Sequence, residues 1–187
     1  MAIMKRGANV ALTREIRHLR SIVVGVSINA GSEKVLTDNL VVATILCDAN
    51  SKALSDQHFV FFNQLSTPDL SVSQLEQAMG PDLEQVEIDL HDVPPEVSRI
   101  FVVIYLNEGI AANRTLAQLR ECTIRVLNLE GNAELVRSEN LATGLEHETA
   151  LVLGEIYRNG IDWKFKVIGD GYSTGIAGIA ADFGVRL

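Results

Sequence analysis

Ile100-Phe101-Val102-Val103-Ile104-Tyr105-Leu106 is an unbroken apolar run rich in β-branched and aromatic side chains. It is of strand length and far short of the roughly 20 residues that cross a bilayer as a helix. Such a run reads as a strand. Working outward, residues 21–28, 40–47, 58–62, 85–90 and 122–129 alternate or concentrate the same residue types over similar lengths, and they predict further strands. Turn formers separate them: Asn29-Ala30-Gly31-Ser32, Asp48-Ala49-Asn50-Ser51, Ser66-Thr67-Pro68-Asp69 and Glu130-Gly131-Asn132. Small polar side chains and glycine accept the tight backbone that such turns need. Towards the C-terminus, residues 149–157 and 162–168 read as two more strands, the second alternating Trp163, Phe165 and Val167. Helical signals are confined to a single turn over 93–97 and about two turns over 115–121. The class expected is mainly β, a sandwich of two packed sheets with a few short helices.

The tail over 169–184 carries Gly169, Gly171, Gly175, Gly178 and Gly184. It lacks the strand-loop-helix setting of a dinucleotide loop and the Gly-Lys-Ser/Thr ending of a Walker loop, so it is expected to be a closing loop. With no repeat, low-complexity tract or linker in 187 residues, one domain spanning 1–187 is the expectation.

Acidic residues outnumber basic ones 24 to 16, a formal net charge of −8. That balance opposes attraction to phosphate backbones and anionic lipid, so nucleic acid is not an expected partner. The N-terminal region is broken by Arg14, Glu15, Arg17 and His18 before any secretory apolar core could form. Cys47 and Cys122 lie in apolar runs without CxxC spacing, which suggests buried, reduced thiols and a cytoplasmic setting. No transmembrane segment is expected.

Catalytic constellations are scarce. There is no Gly-x-Ser-x-Gly elbow, and His18, His58, His91 and His147 are scattered without HxH or HxxxH pairing. Asp82 with Glu84, and Glu146 with Glu148, stand two residues apart and would share a face on a strand. Asp82 and Glu84 are thereby candidate ligands for one ion, against the alternative of a solvated loop. A hydrolase using scattered His and Asp residues, His58 and His91 among them, is the least favoured reading.

Specific motifs lie in the last third: Glu148-Thr149-Ala150-Leu151-Val152-Leu153-Gly154-Glu155-Ile156-Tyr157-Arg158, Trp163-Lys164-Phe165, Gly169-Asp170-Gly171-Tyr172 and Asp182-Phe183-Gly184-Val185. Upstream stand Lys5-Arg6-Gly7-Ala8-Asn9-Val10, His58-Phe59-Val60-Phe61-Phe62-Asn63-Gln64, Ser66-Thr67-Pro68-Asp69, Val86-Glu87-Ile88-Asp89-Leu90 and Ile124-Arg125-Val126. Together they resemble the TerD family of tellurium-resistance and general stress proteins. The resemblance implies a two-sheet β-sandwich that acts by binding or assembly rather than catalysis, with other Ter-like proteins or a second copy of the chain as partners.

It also implies calcium held by acidic loops, since hard cations prefer oxygen ligands. Here the sequence departs from the family. Ile28-Asn29 stands where the family has Trp-Asp, and Asn39-Leu40-Val41, with Asp38 one position earlier, stands where it has Asp-Leu-Asp. The long acidic loop is shortened to 73–84, leaving Asp82 and Glu84. Asn29, Asp38, Asn39, Asp82 and Glu84 are the candidate metal ligands, and calcium affinity falls as charged ligands are lost. Weakened or absent calcium binding is expected, with a remnant oxygen-ligand site as the alternative.

Overall fold

Alternating side chains sort the chain into two sheets that share one core. The computed structural model describes residues 3–107, 109 and 113–187. Its strands are β1 (Ile3–Met4), β2 (Asn9–Ala11), β3 (Ser21–Asn29), β4 (Leu40–Cys47), β5 (Phe59–Val60), β6 (Val72–Gln74), β7 (Glu84–Asp89), β8 (Arg99–Leu106), β9 (Glu121–Asn128), β10 (Glu134–Ser138), β11 (Ala150–Asn159) and β12 (Asp162–Tyr172). Two helices accompany them, α1 (Lys34–Asp38) and α2 (Gly175–Phe183). One sheet runs β1-β10-β9-β3-β7-β6 and the other β2-β12-β11-β8-β4-β5. Among the described residues, β1 against β10 is the one parallel strand pairing and the others are antiparallel.

The inner faces meet through Ile22, Val24 and Val26 of β3 and Ile124 and Val126 of β9 on one side. Val42 and Leu46 of β4, Val102 and Ile104 of β8, and Phe165 of β12 face them from the other. Their period of two is the strand signature that the sequence carries. β8 is buried along Ile100–Leu106 on both faces because a second apolar layer lies outside it. There Ile45, Phe101, Val103 and Val152 meet Ile176, Ile179, Ala180 and Phe183 of α2, and the Phe101 and Phe183 rings stand 4.6 Å apart.

α2 corrects the expectation of a closing loop. Its apolar residues recur at helical spacing, and Gly184 ends it in the left-handed conformation, φ 71°, the usual role of a C-terminal glycine. Burial against the outer sheet face overrides the low intrinsic helix propensity of Gly175 and Gly178. The 93–97 segment forms turns without a helix, and the helix expected over 115–121 shrinks to a 3-10 turn at Leu116–Gln118, after which Glu121 opens β9. The strand expected over 58–62 is reduced to Phe59 and Val60. His58 closes a 3-10 turn before it, and Phe61 exchanges backbone hydrogen bonds with Gln64 after it.

The sandwich has two ends. At one, Asn29, α1 and the start of β4 lie together, with Arg120 N–H bonded to Asn29 C=O and Asn107 N–H to Asn39 C=O. At the other, Leu90 N–H meets Arg20 C=O and Leu12 N–H meets Trp163 C=O. No helix among the described residues is long and apolar enough to cross a membrane.

Candidate functional site

The Asn29 end carries most of the candidate ligands. Each, however, already has a structural task. Asn29 Oδ1 accepts from Gly31 N–H at 2.9 Å and fixes the turn leaving β3. Asp38, exposed at the end of α1, pairs with Lys34 one turn back at 3.0 Å. Asn39 Nδ2 donates to Val35 C=O at 2.8 Å and closes the same helix. A cleft of about 430 Å³ opens beside them, lined by Ser27, Asn29, Thr37, Pro81, Glu121 and Arg137, among others.

Asp82 adjoins this cleft, but its carboxylate turns away onto the outer face of the first sheet and is fully buried. Gly25 of β3 makes the room: a Cβ there would stand 2.1 Å from Asp82 Oδ2. Into that seat come donors from three directions. Ser27 Oγ donates at 2.6 Å, Gln85 Nε2 at 2.7 Å, and Arg125 through Nε at 3.1 and 3.0 Å and through Nη2 at 2.9 Å. Arg125 points outward from β9 between the inward Ile124 and Val126, which delivers its guanidinium to this face. Its Nη1 donates to Glu134 at 3.2 Å, and Glu134 also accepts from Arg137 at 2.7 Å. Burial opposes the charge on Arg125, yet hydrogen bonding to Asp82 and the Asp82 charge, followed by those of Glu134, hold its pKa above the usual value. A carboxylate so surrounded has its lone pairs engaged by cationic and neutral donors, and a second cation would have to displace the first.

Glu84 does not share Asp82's surroundings. It is half-buried, its Oε2 lies 3.4 Å from Gln74 Nε2, and burial raises its pKa. Asp82 precedes β7 rather than lying within it, so the two-residue spacing does not put both carboxylates on one strand face. The other spaced pair is a turn: Glu148 accepts from the backbone N–H groups of Glu146 and His147. Among the described residues, no three His, Cys, Asp or Glu side chains are grouped so as to hold one metal ion. These residues do not fit a calcium cage. His58 Nδ1 lies 2.7 Å from Ser55 Oγ, but that oxygen accepts from Gln57 N–H as the exposed cap of a 3-10 turn.

Both cysteines are free and buried. Burial, reinforced for Cys47 by Asp48 and Glu155, pushes both thiols up to about 12.

Residues 1–183 match the family model described as the TerD domain. The chain belongs to the TerD family. Relatives include the tellurium resistance protein TerD of Serratia marcescens, 30% identical over 98% of this chain and 97% of that protein. General stress protein 16U of Bacillus subtilis (strain 168) is 34% identical over 98% and 97%. A solved homologue of telluride resistance protein (TerD) from Streptomyces coelicolor A3(2) superposes with a TM-score of 0.66 over 87% of this chain and 95% of its own, at 17% identity. The TerD sandwich expected from the motifs is thus the fold observed. Sequence reasoning missed Arg125 as the partner of Asp82. The available signal was a basic residue at an outward position between two buried apolar ones, Ile124 and Val126.

Proposed function

We propose that this TerD-family stress and tellurium-resistance protein works without catalysis, as a cytoplasmic binding or assembly module whose calcium dependence is weakened or lost. The observation that carries the reading is the engagement of Asp82, the most buried of the candidate ligands, by Arg125, Gln85 and Ser27. The buried carboxylate already has its positive counter-charge from an internal guanidinium, which leaves it little lone-pair capacity for a cation. Partners on this reading are other Ter-like proteins or a second copy of the chain.

The test is a strain lacking the protein, complemented with wild type and with Arg125→Met. Sensitivity to tellurite or oxidative stress, corrected by wild type in calcium-depleted medium, together with recovery of a Ter-like partner on affinity capture, is the expected result. A deletion strain as tolerant as its parent, with no Ter-like protein or second copy recovered, would overturn the proposal.

A further inference from the structure

The opposite end of the sandwich holds a cleft of about 420 Å³, the size of a small-molecule site. Its lining includes Arg17, His18, Arg20, His91 and Arg158, and no carboxylate. In a chain of net charge −8, three arginines are gathered in that lining. Arg158 is its fixed element. The guanidinium carbon lies 4.3 Å from the centroid of the Trp163 ring. Nε donates to Val97 C=O at 2.7 Å, and Nη2 donates to Val93 and Pro94 C=O at 2.9 and 3.0 Å. Trp163 is itself held by Nε1 donating to Leu90 C=O.

No carboxylate pairs with Arg158 among the described residues, and its Nη1 has no hydrogen-bond partner there. Burial without an offsetting anion pulls its pKa below the ordinary arginine value. Arg17, exposed on the turn that follows β2, is likewise outside the ion pairs. Arg20 shares its charge with Asp89 and Asp92, and His91 Nδ1 lies 3.2 Å from Asp92. A half-buried, oriented guanidinium with a spare pair of N–H donors is the arrangement that captures an oxyanion. Leu19, Leu90 and the nearly fully exposed Ile161 supply an apolar margin.

We propose that this cleft binds a small phosphate monoester, its phosphate between Arg158 and Arg17 and its compact apolar body against Ile161 and Leu90. This site is independent of the Asp82 region, so it stands or falls apart from the calcium reading.

Trp163 is the only tryptophan, which makes its fluorescence a reporter of this cleft. The experiment titrates the full chain with phenyl phosphate, inorganic phosphate, benzoate and sodium chloride at matched ionic strength, following Trp163 emission and the melting temperature. Saturable change with phenyl phosphate, weaker change with inorganic phosphate, and none with chloride are expected. Arg17→Ala should weaken phenyl phosphate binding about tenfold, the loss of one charge-assisted contact, while melting like wild type without ligand. Arg158→Lys, which keeps the charge and loses the fork, should weaken it as well. Absence of saturation beyond the chloride control, or unchanged affinity in Arg17→Ala, would overturn the site. Benzoate binding as tightly as phenyl phosphate would overturn the phosphate assignment, and inorganic phosphate doing so would overturn the apolar half.

Discussion

The Arg125 guanidinium lies against both oxygens of the Asp82 carboxylate, 43 residues away in the chain, with Nη2 2.9 Å from Oδ2. The pair links β9 to the segment entering β7 across β3, and the absence of a side chain at Gly25 lets it lie flat on the sheet. Asp82 has no side-chain exposure and Arg125 has 14%, so water cannot compensate the Asp82 charge once Arg125 is removed, whereas Arg125 without Asp82 would keep Glu134.

Arg125→Met is therefore expected to destabilise the fold by about 3 kcal/mol, the cost of leaving a buried carboxylate unpaired. Urea unfolding at neutral pH would measure it as a lower midpoint with an unchanged slope. Adding Asp82→Asn in the same chain should recover part of the loss, because the orphaned charge is then gone. A single substitution that leaves the midpoint at the wild-type value would show that the pair holds nothing.

Glu84 is expected to behave in the opposite sense. Burial raises its folded-state pKa, so its contribution to stability is fully present below the unfolded-state pKa and is lost as pH rises through the folded value. Nearby, Gln74 Oε1 is buried without a partner. Glu84→Gln removes the charge and offers an amide donor to that oxygen, so it should stabilise at neutral pH by on the order of 1 kcal/mol, the net worth of a hydrogen bond. The gain should shrink in acid, where wild-type Glu84 is protonated. Melting temperatures of both proteins across pH 3 to 8 would check the sign.

The thiols give a kinetic readout. With both pushed up to about 12 by burial, Cys47 and Cys122 hold almost no thiolate at pH 8 and present little surface to a reagent. An aromatic disulfide reagent should label neither in the folded protein and both in denaturant. Rapid labelling of the native chain would contradict their placement.

Phe183 tests the outer layer. Its ring fills the seam between α2 and Phe101, and Phe183→Ala is expected to cost about 3 kcal/mol in unfolding free energy. A loss under 1 kcal/mol would mean that α2 is not needed to cover β8.

The long strands were legible in the sequence because burial repeats at strand period: β4 was bounded correctly, and β3, β8 and β9 to within one residue at each end. The short strands β1, β2, β6 and β10 were not legible, because two to five residues carry too little periodicity and their pairing comes from distant segments. α2 was hidden by its glycines, since only the apolar face of the second sheet makes a helix there favourable. At the candidate site, the side chains offered as ligands were visible residue by residue. The engagement of Asp82 was not, because the guanidinium that meets it comes from another strand and the space it needs is created by a glycine on a third.

Calorimetric titration of calcium into the chelator-treated protein, paired with melting in calcium and in chelator, tests the central claim most directly. The prediction is no saturable heat and identical melting temperatures, with Asp82 remaining bound to Arg125. Stoichiometric binding would contradict it, as would a calcium-dependent gain near the roughly 2.7 kcal/mol expected of a ligand at 100 times its dissociation constant.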